Sequence, residues 1–192
     1  MQGTVKMWER SPAGLLVPRG RLCVCRNIQM VTSCFAIAKA LGLGDVTYKI
    51  NKMYVEFENT AGTVTAPTYD KYGLRTYYPN LAAPKDYLRL DLLGAPTLGI
   101  ATGYTAYFTA GVDGNQLTFL AQTAGSAGQN GVTFSNALNS TVYGVALVAA
   151  PDDADITQDV IVSRGYFSAA NQLKKPAAGQ LVLSWEIDFT PP

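Results

Sequence analysis

Two groups of chemistry-bearing side chains stand close together in this chain. Asp152, Asp153 and Asp155 share one turn, and Cys23, Cys25 and Cys34 fall within twelve positions. Clustered acids supply the oxygen ligands that Ca²⁺ takes, but the spacing departs from the EF-hand pattern. Acid-rich turns also serve as caps and turn formers. An odd number of crowded cysteines is no disulfide framework, and a C-x-C pair with one further thiol lacks a fourth ligand for a tetrahedral site. The thiols are expected as small apolar side chains in a reducing compartment. Glu56 and Glu58 share a strand face, as paired-carboxylate acid–base work needs and as a solvated face also provides. The chain has no histidine, which removes Ser-His-Asp and Cys-His catalysis, His-ligated metals and a histidine pH switch. The glycine-rich run AGSAGQNG lacks the Lys-Ser/Thr ending of a phosphate loop. These residues predict no metal or other cofactor and a protein that is not an enzyme.

What remains is architecture. The 192 residues suit one domain with an arm. Apolar residues at 48% are enough for a core, while charged residues at 15% fall well below the usual quarter. So little charge predicts a surface of small polar residues, or one covered by neighbouring protein. The net charge of +1 provides no electrostatic drive toward nucleic acid, and no apolar run is long enough to span a membrane.

Residues 1–30 show no sustained period and are punctuated by Pro12, Gly14, Pro18 and Gly20. They predict an extended N-terminal arm, with Lys6, Arg10, Arg19, Arg21 and Arg26 opposed only by Glu9. Residues 31–192 then form a single domain. Thr32 to Leu41 predicts a short helix capped by Thr32 or Ser33, with Phe35, Ala38 and Leu41 on its inward face and Gly42 or Gly44 as its stop. Val46 to Glu58 predicts a long strand with a bulge at Asn51-Lys52, where the alternation changes phase. Residues 60–84 form a long connection rich in Tyr69, Tyr72, Tyr77 and Tyr78, side chains whose large area and polar tip suit an interface.

Leu88, Leu90 and Leu92 alternate with Tyr87, Arg89 and Asp91, a strand whose Arg89 and Asp91 are placed to pair. Tyr104–Thr109 and Gln116–Thr123 predict a hairpin turning at Asp113-Gly114. Thr141 to Ala150 is apolar on both faces and predicts a central strand; Gln158 to Phe167 predicts another. Leu181, Leu183, Trp185, Ile187 and Phe189 alternate with Val182, Ser184, Glu186 and Asp188. This is a last strand with a buried face, expected to close a sheet, with Trp185 in the core. Its outer row is only half polar and suits either solvent or a neighbouring subunit, so Ser184→Arg is expected to leave a free monomer folded. The sum is a mainly β chain: an antiparallel two-sheet β-sandwich of jelly-roll-like type, with one short N-terminal helix. A small barrel is the nearest alternative.

The strings MYVEFENTAG (Met53 to Gly62), DYLRLDLL (Asp86 to Leu93), TFSNALNSTVYGVALVAAPD (Thr133 to Asp152) and DVIVSRGYFSAANQL (Asp159 to Leu173) carry a resemblance. In style and order they resemble small virion proteins of tailed bacteriophages, over residues 45 to 190. The resemblance implies a structural role in a particle assembled in the bacterial cytoplasm, with capsid decoration or cementing first and a tail, collar or head–tail component next. The implied partners are further copies of the chain and a major capsid or tail protein, with no specific nucleic acid and no membrane. Arg10, Arg19, Arg21, Tyr69, Tyr72, Tyr77 and Tyr78 are the candidate interface residues. A carbohydrate- or receptor-binding sandwich is the reading from another class, with Tyr72, Tyr77, Tyr78, Tyr166 and Trp185 as possible sugar platforms.

Overall fold

A computed structural model describes residues 2–10, 23–29, 31–57, 87–123, 141–168, 170, 172–174 and 180–190. Ten strands and one helix make up the regular structure of these residues. The strands are β1 (Gln2–Arg10), β2 (Cys23–Gln29), β3 (Ile50–Phe57), β4 (Tyr87–Asp91), β5 (Thr97–Gly99), β6 (Gln116–Gln122), β7 (Thr141–Ala149), β8 (Val160–Tyr166), β9 (Leu173–Lys174) and β10 (Gln180–Asp188). The helix, α1, spans Val31–Leu43.

Two four-stranded antiparallel sheets pack as a sandwich. One has the order β5-β6-β10-β1, the other β8-β7-β3-β4; β2 pairs with both β1 and β8, and β9 pairs with the start of β7. The opposite side is also stitched. Leu92 bridges to Ala121, and the Leu93 N–H donates to the Leu120 carbonyl at 2.7 Å. The chain thus leaves β4, changes sheets at a bend and continues along β6 as β5, the usual way a strand turns a sandwich corner.

The core lies between the sheets. Val5 and Met7 of β1, Met53, Val55 and Phe57 of β3, Leu88 and Leu90 of β4 and Val145 and Leu147 of β7 meet Phe119 of β6 and Leu181, Leu183, Trp185 and Ile187 of β10. Burying alternate side chains of each strand is what drives these segments to pair. The predicted central strand is β7, flanked by β3 and β8. The predicted bulge is present as a register shift between Ile50 and Lys52.

Several expectations are corrected. The N-terminal segment is not wholly an arm: residues 2–10 and 23–29 are sheet strands, and β1 pairs along its full length with β10. Val5 and Met7 alternate with Thr4 and Lys6, but the run is short and Trp8 hides its period. β10 closes no edge; it lies between β1 and β6. Val182 and Ser184 of its outer row are 5% and 6% exposed in the single chain, set between Trp8 and Lys6 of β1 and Gln122 and Leu120 of β6. Ser184→Arg therefore forces a cation into a covered site even without a neighbour.

Residues Val46–Tyr48 form a 3₁₀ turn, not strand, because the Asp45 carboxylate accepts the Thr47 N–H at 3.1 Å and caps it. The predicted strand at Tyr104–Thr109 is a series of turns; the hairpin partner of β6 is β5, at Thr97↔Thr118 through Gly99↔Gln116. Gly111, at φ +79°, takes the left-handed turn conformation expected at Asp113-Gly114.

Helix α1 begins at Val31, so Thr32 and Ser33 lie inside its first turn and do not cap it. Gly44, at φ +64°, follows its end as expected. Its inward face is not Phe35-Ala38-Leu41. Among the described side chains of the helix Ala36 is the buried one, packed with Ala149 and Val162, while Phe35, Ala38 and Leu41 are exposed. Small side chains let the helix approach the sheet ends closely, and the large ones project outward.

Candidate functional site

The sandwich brings together two features on different faces. The first is a polar network on the outer face of the β3–β4 sheet. Here Lys52, Tyr54 and Glu56 alternate with core residues of β3, and Tyr87, Arg89 and Asp91 do the same on β4. Arg89 donates from Nε and Nη2 to the two oxygens of the Asp159 carboxylate, at 2.9 and 3.0 Å. It also donates to the carbonyls of Asp153 and Asp152, at 2.9 and 3.2 Å. The Tyr54 hydroxyl donates to Asp159, and Lys52 pairs with both Asp91 and Asp153. Arg89 and Asp91 thus each have other partners and do not pair with one another in this network. Alternation placed both on one face but said nothing about the segment folding over it.

The second polar element is the ion pair of Glu56 and Arg164. Arg164 Nε lies 2.9 and 3.0 Å from the Glu56 carboxylate oxygens, and both residues are almost fully withdrawn from water. Glu56 is therefore an ion-pair partner within the fold, not half of an exposed carboxylate pair; Glu58 lies outside the described residues.

The electrostatics follow from these contacts. Burial, then the Asp159 contact, push the Tyr54 phenol far above its usual range. Burial works against the Lys52 charge, but hydrogen bonds to Asp153 and Asp91 outweigh it and raise its pKa. The Lys52 hydrogen bond and charge hold the Asp153 carboxyl below its usual range. The network consists of charges paired with charges. Its chemical capacity is to fasten residues 151–159 over the sheet, with Ile156 packed against the cluster containing Tyr54 and Ile161.

The clustered acids are spent in the same way. Asp152 Oδ1 accepts from the Ala154 N–H at 2.8 Å, Asp155 Oδ1 accepts from the Thr157 N–H at 2.9 Å, and Asp153 pairs with Lys52. Among the described residues, no three His, Cys, Asp or Glu side chains gather to hold a metal. Cys34 is exposed on α1, and the backbone of β2 sets Cys23 and Cys25 opposite Met7 and Val5.

The second feature is apolar. Large hydrophobic side chains stand exposed on α1 and the 3₁₀ turn (Phe35, Leu41, Leu43, Val46) and along residues 93–120 (Leu93, Leu98, Tyr107, Val112, Leu120). Leu41 is 83% exposed, Tyr107 76% and Val112 75%, well beyond a grazing exposure. A cleft of about 280 Å³ separates the helix from the β5–β6 edge, lined among others by Ala36, Ile37, Tyr48, Pro96 and Leu117. Lys39 sits over the Phe35 and Tyr48 rings, 5.6 and 5.9 Å from their centroids. The loop between β5 and β6 is held in shape from within. Asp113 accepts from the Thr109 N–H, Asn115 Oδ1 accepts from the Ala101 N–H at 2.9 Å, and the Phe189 N–H donates to the Asn115 carbonyl at 2.7 Å.

Of the sequence-predicted interface residues, Arg10 lies on β1 with its backbone paired to Gln180. Arg19, Arg21, Tyr69, Tyr72, Tyr77 and Tyr78 lie outside the described residues, as does the whole of the 60–84 connection. Trp185 is fully buried in the core, as expected. Tyr166 is half-buried, its ring 6.2 Å from that of Tyr143. Sequence reasoning missed these exposed apolar side chains: it assigns Phe35 and Leu41 inward and does not single out Leu98, Tyr107 and Val112. The available signal was the scarcity of charge on both sides of Asp113.

Fold and site together define an antiparallel β-sandwich with an ion-paired polar face and a largely apolar cleft beside its helix. No protein-family model, curated protein or solved structure matches the chain.

Proposed function

We propose that this chain is a non-enzymatic structural protein of a tailed-bacteriophage virion, and within that class a capsid decoration or cement protein. The observation that carries the reading is a set of exposed apolar side chains: Leu41, Leu43 and Val46 on and just after the helix that walls the cleft, and Tyr107 and Val112 on the β5–β6 loop. Large apolar side chains left exposed in this number suit contacts between proteins. The low charge content of the whole chain and its resemblance to small phage virion proteins point the same way. A protein that binds only the assembled shell stabilises it by mass action, and several attachment points raise its effective concentration on that shell.

A tail, collar or head–tail component uses the same surface logic and is the second reading. For the carbohydrate-binding reading, Trp185 is in the core as expected and unavailable to a sugar, while Tyr72, Tyr77 and Tyr78 lie outside the described residues.

The test is co-sedimentation of the purified protein with empty heads, mature heads and isolated tails of the phage that encodes it. Saturable binding to mature heads, with a rise in their rupture temperature, is expected. Binding to tails alone moves the protein to the second reading, and binding to no part of the particle rejects both.

A further inference from the structure

We infer that the cleft beside α1 is a binding site for a medium-chain acyl carboxylate. The inference goes beyond the virion role and does not depend on it. Ala36 and Ala40 lie one turn apart on α1 and form one wall. Leu117 and Phe119 are alternate residues of β6, paired with Ile187 and Trp185, so both point to the inner side of their sheet and form the wall opposite. Phe119 and Val162 are buried, so the cleft opens directly onto packed side chains. Its shape is fixed by contacts within the chain. Ala36 packs on Ala149 and Val162, the Tyr48 ring stands edge-on to that of Phe35 at 5.0 Å, and the Asp45 N–H donates to the Lys39 carbonyl at 3.0 Å. Each alanine presents only a methyl group, so the helix rests on the sheet without filling the space beside it.

The lining decides the chemistry of the ligand. Of the ten residues around the cleft, nine are apolar or aromatic and the tenth is Lys49. Lys39 brings a second cation, its ammonium 5.9 Å from the centroid of the Tyr48 ring that lines the cleft. Among the described residues neither lysine is in a salt bridge. The acids nearby are already engaged. Asp45 accepts from the N–H and the hydroxyl of Thr47, and Asp91, which lines the adjoining hollow together with Lys49, pairs with Lys52. The matching ligand is therefore apolar along its length and negative at one end. A cationic head would meet two lysines and no available acid. An apolar cavity of about 150 Å³ takes benzene, so the cleft of about 280 Å³ suits an unbranched chain of about eight to ten carbons.

The test is methyl NMR of the full chain titrated with hexanoate, octanoate and decanoate, and with decylamine as the cation of matching length. The methyl signals of Ile37, Ile50, Leu117 and Val162 are expected to shift together and to saturate. Affinity should rise by up to about fourfold per added methylene until the cleft is filled. Decylamine is expected to bind about fivefold more weakly than decanoate, or less tightly still. Ala40→Phe, at an exposed position on the cleft wall, should abolish binding by occupying the space. Lys49→Glu, also exposed, should weaken decanoate and remove its advantage over decylamine. Unchanged urea midpoints show that both variants fold; should Ala40→Phe not fold, the chain-length and head-group comparisons on the wild type decide alone. No saturable shift, shifts scattered away from the cleft, or decylamine binding the wild type as tightly as decanoate overturns the inference. Any of these leaves the virion role to its own sedimentation test.

Discussion

Arg164 and Glu56 lose nearly all contact with water in this fold, and the ion pair between them compensates for it. Removing one partner of a buried pair strands the other charge, at a cost of about 3–5 kcal/mol. Arg164→Met is expected to lower stability by that amount in urea unfolding, and Arg164→Met/Glu56→Leu to recover much of it. Gly144 lies beside the pair for a steric reason: a Cβ there would sit 2.8 Å from a Glu56 carboxylate oxygen and 3.0 Å from the Gly165 carbonyl. Lys52 and Asp153 each contribute to the pH dependence, beside the buried Tyr54 phenol on the alkaline side. The Asp153 carboxyl is held below 3.8, so its contribution is complete above that pH and is lost as the pH falls through the lower, folded value. The Lys52 ammonium is raised above 10.5, so its contribution is complete below that pH and is lost as the pH rises through the folded value. Lys52→Met should therefore flatten the dependence of the urea midpoint on pH at both extremes and leave its slope near neutrality unchanged. Asp153 is well exposed, so solvent screening keeps the acid-side effect small.

At the scale of elements, α1 shows what periodicity leaves undecided. Apolar residues occupy nearly its whole circumference, so spacing alone selects no unique inward face. The packed side is chosen by fit: Ala36 lies against Ala149 and Val162, where a larger side chain would hold the helix away. Ala36→Leu is expected to cost about 1–3 kcal/mol through overpacking. Leu41→Lys, at an open position, should shift monomer stability by less than about 0.5 kcal/mol. Urea unfolding of the two variants checks both, and a large loss for Leu41→Lys would place that side chain inside the fold. The bulge at Asn51 was legible because the phase of alternation changes there. The structure adds its fastening: the Asn51 side chain both donates to and accepts from the Ala150 backbone, at 2.9 Å.

At the scale of the molecule, the two sheets are joined through β2 on one side and by the Leu92–Ala121 bridge on the other. The chain's first and last strands lie side by side within one sheet. Unfolding is therefore expected to be cooperative, because opening β1 exposes the core side of β10. Native-state hydrogen exchange should show the amides of β1, β7 and β10 among the slowest and those of residues 101–114 among the fastest. Early exchange of β1 while β7 stays protected would mean that the N-terminal strand is an accessory to the sandwich and not part of its core.

The sequence by itself determined the class of fold, the alternation that buries Leu88, Leu90, Leu183 and Trp185, the central place of β7 and the bulge in β3. Each of these is a local periodicity, and the spacing of side chains along one strand expresses it directly. Only the tertiary structure decided that β1 is a strand, that β10 is internal, that Arg89 binds Asp159 and not Asp91, and that Phe35 and Leu41 face outward. These depend on partners far away in the chain. Val5 and Met7 acquire an inner face only when β10 lies beside them, and Glu56 acquires its counter-charge only when β8 brings Arg164 across β7. A period can show that a face is buried, but the surface that buries it exists only once the sheets have closed.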